Sequence, residues 1–387
     1  MKHLREIRIT LASALALCLL TGAAGAWAGA RLFGWRTDAV ETKLRELDRI
    51  AAEEFVGAFD AQAVADMAAV GYVTALDDRW SGYIPAERYE SYRMNSEGKV
   101  SGIGVAVASL DEGLRVRLVY DGSPAAAAGV QRGDWIVGAA GLTVEKDGAD
   151  AVISATQGEE GTEVTVTLRR ADGRVEDVTM TRATVTQKMA WGEMLADGIG
   201  YLRIENFHVG AAAQFQAALD ELTAAGARAL VLDVRHNGGG RVKEMSEMLD
   251  PLLPEGTIMT LRTKNGSETV YESDEASLDL PLAVLIDEQS ISAAEFFAAA
   301  LQEYERAALV GAHTTGKGRA QRTFPLSDGS AVNLSVEEYF TPKGRSLADV
   351  GVAPDHAVAL GAAEGESFYF LPPERDTQLA AACALFG

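Results

Sequence analysis

Residues 281–302, PLAVLIDEQSISAAEFFAAALQ, change texture abruptly. PLAVLIDE is a short apolar run ending in charge, the pattern of a fully buried strand. Ser290 and Ser292 occupy a polar turn, and an apolar run follows through Phe296, Phe297, Ala298, Ala299, Ala300 and Leu301. That run lacks the polar face of a surface helix and reads as a helix packed in a core. A serine is therefore held where a buried strand meets a buried helix. Glu295 stands three residues after Ser292, the spacing of a capping box, so an N-cap accounts for Ser292 taken alone. A nucleophile is the alternative.

The surrounding chain has the same grain. From Gln187 onward, IGYLRIENF reads as a strand and AAQFQAALDELTAAG as a helix with Phe215, Leu219 and Leu222 on one face and Gly226 as its stop. ALVLDVR is a buried strand, followed by the turn HNGGG and the helix VKEMSEMLDPLL; AALVGA follows the serine helix. Strands alternating with helices predict a largely parallel sheet with helices on its faces. QRTFPLSDGSAVNLSVEEYFTP then reads as a hairpin.

GAHTTGKG, Gly311 to Gly318, has the Gly-x-x-x-x-Gly-Lys spacing of a phosphate loop. Gly318 stands where a Mg²⁺-binding hydroxyl is needed, and a hairpin follows where the anion needs a helix N-terminus. Nucleotide binding is therefore disfavoured. A lysine in a turn is ordinarily a surface lysine. Lys317, however, comes one strand after the serine turn, and successive elements in such folds are usually neighbours. A buried lysine loses its charge readily, and flanking glycines let the backbone close over it. The pair fits a serine–lysine dyad. His313 and His236 are the other bases near a serine, but no Gly-x-Ser-x-Gly elbow supports a triad. Ser96 and Lys99 have Ser-x-x-Lys spacing in a polar linker, with neither companion motif.

Bulk properties exclude other classes. A net charge of −21 and a pI near 4.7 argue against a phosphate-neutralising surface, hence against nucleic acid. Two cysteines, Cys18 and Cys383, give no disulfide framework or cysteine–zinc site. Five scattered histidines without His-Glu-x-x-His make a catalytic metal improbable, and no cofactor is expected. Lys2, Arg5 and Arg8 precede an apolar stretch running to Phe33, with Ala26-Trp27-Ala28 at a small-residue exit. This fits a secretory signal peptide or an uncleaved membrane anchor, and either puts the rest outside the cytoplasm.

SISAAEFFAAALQEYERAALVGAHTTGKGRAQ resembles the nucleophile and base segment of the carboxyl-terminal processing proteases, also called tail-specific proteases. LVLDVRHNGGG, GRSLADVGVAPD and IGYLRIENF resemble further motifs of that family, in order, and the likeness covers most of residues 36–380. It implies Ser292, not Ser290, as nucleophile, Lys317 as base and Gln321 as the side chain that orients the lysine. It also implies an oxyanion site from the N–H groups of Ala293 and Gly239. Gly238 stands where the family has proline, Ala294 replaces its third serine, and His313 and Thr314 replace residues that are often Glu and Pro.

Between Lys99 and Thr184 the sequence breaks into short strands and glycine turns, with a hairpin at Asp172-Gly173. SGIGVAV and GSPAAAAGVQRGDWIVGAAG resemble PDZ domains, implying that Gly102, Ile103, Gly104 and Val105 hold a peptide's terminal carboxylate.

The expected fold is α/β and multidomain: an export or anchor segment (1–34), an N-terminal helical region (36–95), a PDZ-like β-rich domain (96–184), an α/β protease core with a largely parallel sheet plus a hairpin (185–360), and a C-terminal tail packing on the core (361–387). The expected function is an exported serine endopeptidase that selects protein substrates by their C-terminal residues. The alternative is a catalytically weak, peptide-binding scaffold of the same family. A regulatory protein partner, a homo-oligomer, and membrane association through an uncleaved N-terminus are compatible with either.

Overall fold

Strand Leu282–Ile286 is buried at every residue, and its two faces serve different cores. Successive side chains of a strand point to opposite sides of the sheet. Leu282, Val284 and Ile286 enter a large cluster with the serine helix, whereas Ala283 and Leu285 enter a smaller one with Leu379 and Ala382. Neighbouring strand Ala229–Asp233 does the same, Leu230 and Leu232 on one side and Val231 on the other. A strand covered on both faces shows no polar alternation, which is why its sequence is a continuous apolar run.

The computed structural model describes residues 39–275, 277–362 and 367–387. The expected export or anchor segment, 1–34, with Cys18, lies outside them. No helix among the described residues is long and apolar enough to cross a membrane. Two compact units divide between Met67 and Ala68. The described part of the first holds helix Ala39–Glu54 and the start of helix Ala61–Thr74.

In the second unit the central sheet has six strands in the order Ala190–Met194, Ile199–Ile204, Ala229–Asp233, Leu282–Ile286, Ala307–Gly311 and His356–Ala357. All neighbours are parallel except the first pair. Helices Ala211–Ala224, Val242–Leu249 and Ala293–Glu303 contribute to the large cluster, and helix Thr377–Ala384 covers the opposite face. Phe296 and Phe297 are buried in the large cluster, each stabilising it by about 1.5–3 kcal/mol.

The mixed α/β class agrees with the sequence expectation, with two differences. Ala190–Met194 adds an antiparallel edge to the central sheet. The hairpin of Arg319–Pro325 and Ala331–Phe340 belongs to a second, five-stranded antiparallel sheet with Gly82–Ile84, Gly256–Thr263 and Glu268–Ser273. All three extra strands carry mixed polar and apolar residues; Gly256–Thr263 and Glu268–Ser273 pair locally, but Gly82–Ile84 and Gly256–Thr263 join the hairpin from far along the chain, so local pattern does not place them in its sheet.

The PDZ-like region builds a sheet from Val105–Leu110, Gly113–Val119, Trp135–Ala139, Glu163–Arg169 and Val175–Thr181, with helix Ala149–Thr156 packed against it. Lys99–Gly102 pairs with Ala183–Thr186, tying the start of the region to its end.

A chain of buried charges runs across the C-terminal ends of two interior strands of the central sheet. Arg203 Nη1 lies 3.0 Å from Asp233 Oδ1, close enough for an ion pair but off the line of a hydrogen bond. Arg235 donates through Nη2 to Asp233 Oδ2 (2.7 Å) and to Asp376 Oδ2 (2.8 Å). Burial works against the Asp233 carboxylate, but Arg235 and Arg203 outweigh it and hold the group well below the usual carboxylate range. Asp376 also caps the C-terminal helix, accepting from Leu379 N (2.9 Å). Asp376→Ala removes the cap and strips a carboxylate from a buried guanidinium. The expected loss is about 3–5 kcal/mol, read from the urea midpoint; a loss below about 1 kcal/mol would show that Arg235 is satisfied without it.

Candidate active site

The turn from strand to serine helix is held by short polar bonds. Ser290 is fully buried; its Oγ donates to the Val234 carbonyl (2.8 Å) and accepts from Asp287 N (3.0 Å), so it staples the turn to the neighbouring strand. Ser292 has φ 60° and ψ −119°. That is an uncommon conformation for a residue with a Cβ, and it persists where the surroundings enforce it.

The enforcing group is Glu295. Its side chain is fully buried. Oε2 accepts from Ser292 N (2.8 Å) and Lys317 N (2.9 Å), while Oε1 accepts from Thr314 Oγ1 (2.6 Å) and Gly316 N (2.7 Å). One carboxylate thus uses both oxygens twice. The backbone nitrogens of Ser292 and Lys317 share one oxygen, so they are separated by no more than those two bonds laid end to end. The Gly311–Gly318 loop does wrap an anion: the carboxylate of Glu295. Thr314 Oγ1 also accepts from Val352 N (2.8 Å), bringing in the segment before the last sheet strand.

The side chains are arranged less simply. Burial lowers the Lys317 amine below the ordinary lysine value, while Glu295 and Asp78 act the other way. Its Nζ lies 5.0 Å from the centroid of the Trp80 ring. Among the described residues no hydrogen bond joins this amine to Ser292 Oγ. Ser292 instead lies close enough to Tyr339 to act on its phenol. Burial pushes that phenol up to about 12, and the Ser292 side chain acts in the opposite direction. Gln321 does not reach Lys317; its amide donates to the Arg319 carbonyl (2.9 Å) and Ser335 Oγ (3.0 Å).

The glycine turn packs directly on the serine. Gly239 has φ +95°, and a Cβ there would sit 2.8 Å from Ser292 Cβ, so only glycine fits. Its N–H donates to Asn237 Oδ1 (2.8 Å). Asn237 also donates through Nδ2 to the Ile204 carbonyl (2.9 Å) and accepts at its own carbonyl from Ile291 N (2.9 Å), locking the glycine turn to the serine turn. The Ala293 N–H has no protein acceptor among the described residues.

Other candidates fall away. His313 is exposed, with Nδ1 3.0 Å from the Thr314 carbonyl oxygen. Ser96 Oγ donates to the Arg93 carbonyl (2.8 Å) at a helix end. His236 has φ 54°, donates through its backbone N–H to Asp287 Oδ1 (2.9 Å), and carries Nε2 3.3 Å from Asp287 Oδ2.

In the PDZ-like region, Gly102, Ile103, Gly104 and Val105 border a pocket that Val107 and Ile153 also line. Gly104 has φ +78°, and a Cβ would lie 2.3 Å from that of Ser123. The carbonyls of Ile103 and Gly104 accept from Ala125 N (2.9 Å) and Tyr120 N (3.0 Å). No acceptor among the described residues takes their N–H groups, which leaves donors at the pocket mouth.

Glu295, Tyr339, Asn237 and Trp80 also shape the site, although residue pattern assigns none of them a role in it. Glu295 had a signal, its capping-box spacing, which accounts for one of its four bonds. Tyr339 lies on the second strand of the expected hairpin, but its place near Ser292, like that of Trp80 near Lys317, depends on packing that local pattern does not show.

The family model described as "Peptidase family S41" matches residues 198–358, and "PDZ domain" matches residues 115–170. "Carboxy-terminal processing protease CtpA" of Bacillus subtilis is 31% identical over 76% of this chain; the chain spans 64% of that protein's length. "Carboxyl-terminal-processing protease" of Picosynechococcus sp. is 32% identical over 82% of this chain and 78% of its own length. The solved structure "Photosystem II D1 C-terminal processing protease" superposes with a TM-score of 0.50 at 28% identity, covering 81% of this chain and 86% of its own.

The four-bond carboxylate yields a stability test. In Glu295→Gln, an amide NH₂ faces donors that had an acceptor. Each buried donor left unpaired costs about 1–3 kcal/mol. Urea unfolding is expected to show a loss of at least that size; an unchanged midpoint would mean that the loop does not depend on the carboxylate.

Proposed function

Since the chain belongs to peptidase family S41, we propose that it is a serine endopeptidase of the carboxyl-terminal processing type, with Ser292 as nucleophile and Lys317 as general base. The observation that carries the reading is the shared hold of Glu295 Oε2 on the N–H groups of both residues. Two chain positions that local structure has no reason to join are pinned to one buried atom.

Peptide hydrolysis needs an uncharged amine beside the serine hydroxyl. Burial favours that uncharged form of Lys317. On substrate engagement, the amine leaves the Trp80 face and takes the Ser292 proton in place of the Tyr339 contact. Ser292 Oγ then attacks the peptide carbonyl, and the lysine returns its proton to the leaving amine. Water deacylates the enzyme by the same route in reverse. The Ala293 N–H donates to the oxyanion, and the Gly239 N–H joins it on release from Asn237 Oδ1. Gln321 turns from Ser335 to orient the lysine. The substrate's C-terminus is taken by the N–H groups of the Gly102–Val105 loop, with the peptide added as a strand. The basic, apolar N-terminus supports export, so the substrates are proteins outside the cytoplasm.

The open Ser292–Lys317 pair also favours a second reading, a peptide-binding scaffold with little catalysis. Hydrolysis of an unfolded protein with an apolar C-terminus separates them. The protease reading expects Ser292→Ala and Lys317→Met each to lower kcat on the order of 10⁴-fold or more. Equal rates in wild type and Ser292→Ala would abolish it.

The pH profile gives an independent check. Neutral Lys317 is the active form, so kcat/KM rises with pH, and its midpoint lies below about 10.4, the unperturbed lysine value. The folded value is lowered, so between the two values the unfolded chain binds more protons, and wild-type stability grows as pH rises through the folded value. Lys317→Met should lack this slope and unfold at higher urea below that pH. A variant with the wild-type slope would show that the amine titrates normally in the folded protein.

A further inference from the structure

The stretch Phe368-Tyr369-Phe370 lies beyond the residues that the family model matches, and arginines from two domains grip it. On the core side, Phe368 stacks on His236, with ring centroids 4.6 Å apart and planes at 22°. Arg235 Cζ lies 4.6 Å and Arg203 Cζ 5.4 Å from the centroid of the same ring. On the PDZ side, Arg115 Cζ lies 4.0 Å and Arg132 Cζ 5.3 Å from the Phe370 centroid. Tyr369 stands between, 5.2 Å from His236 and 4.6 Å from Arg117 Cζ, and its carbonyl accepts from Arg132 Nη2. Arg117 is also ion-paired with Glu205 at the end of a core strand.

His236 is the hinge between this aromatic run and the reacting centre. It has φ 54° and immediately precedes Asn237, whose side chain holds Gly239 N–H and whose carbonyl holds Ile291 N. Gly239 in turn abuts Ser292. A ring stacked on one face, and the Asp287 carboxylate on Nε2 and the backbone N–H, leave His236 one orientation. Guanidinium groups prefer the faces of aromatic rings, so each ring also fixes the arginines that touch it.

We propose that Phe368, Tyr369 and Phe370 form a positioning clasp that sets the register of the oxyanion turn through His236 and makes that register depend on the seat of the PDZ-like domain. Phe370 is the informative member. Its ring contacts are with Arg115 and Arg132, both in the PDZ-like domain, so a purely local prop under His236 has no use for it.

The proposal rests on the serine-protease reading, and the test keeps the two apart. Full-length protein is reacted with a fluorophosphonate probe, which phosphonylates the serine Oγ with loss of fluoride and is too small to need the PDZ pocket. Probe labelling that survives Ser292→Ala sinks the protease reading whatever the clasp does. With that control clean, Phe368→Ala is expected to slow phosphonylation on the order of 10²-fold, as for an oxyanion donor displaced by about 1 Å. Phe368→Tyr, which keeps the ring, should recover most of the rate. Phe370→Ala should slow the reaction in the same direction. Phe368→Leu, which keeps apolar volume without a stacking face, substitutes for the alanine variant should that one fail to fold. A wild-type labelling rate in Phe368→Ala, or in Phe368→Leu where it substitutes, overturns the clasp. Slow phosphonylation in Phe368→Ala with a wild-type rate in Phe370→Ala overturns its dependence on the PDZ-like domain.

Discussion

A single buried carboxylate organises the catalytic end of this protein. Glu295 collects two backbone N–H groups from the lysine loop, one from the serine turn and the hydroxyl of Thr314. Each donor would otherwise be a buried polar group without a partner, and the carboxylate itself would be untenable in a core without them. The loop and the turn therefore order together or not at all. The positive φ of Ser292 goes with this hold on its N–H by Oε2.

The same economy explains the glycine-rich lysine loop. Its spacing mimics a phosphate loop because both solve one problem, presenting successive backbone N–H groups to an anion. Here the anion is supplied from within, by the first turn of the serine helix. What remains adjustable is the outer layer. The lysine amine rests against Trp80, the Ser292 hydroxyl faces Tyr339, and the Gln321 amide binds Ser335. A rigid backbone frame with side chains off-line from one another is an arrangement in which rotamer changes alone can move the site between states.

Below this frame, the charge chain from Arg117 through Glu205, Arg203, Asp233 and Arg235 to Asp376 joins the PDZ-like sheet, two central strands and the C-terminal helix. Buried ion pairs add little net stability, yet they are costly to break singly, so they favour one relative arrangement of the pieces they connect. Phe368 and Tyr369 lie over these same arginines.

The central strands, the serine helix, the PDZ-like domain and the order of the motifs were all legible from residue pattern. Burial on both faces writes an apolar run, and helical and strand periods differ. The lysine and serine positions were legible through spacing and resemblance. The antiparallel strands at Ala190–Met194 and Gly256–Ser273 were not, since their mixed polar and apolar residues leave no clear period, and the second sheet forms only when Gly256–Thr263 meets Ala331–Phe340 far along the chain. Nor was the full role of Glu295, because three of its four bonds come from a loop some twenty residues away. The sequence by itself determined which groups are present and which elements carry them. The tertiary structure alone decided where Lys317, Gln321 and Tyr339 point, because side-chain direction is set by packing against neighbours that only folding brings near.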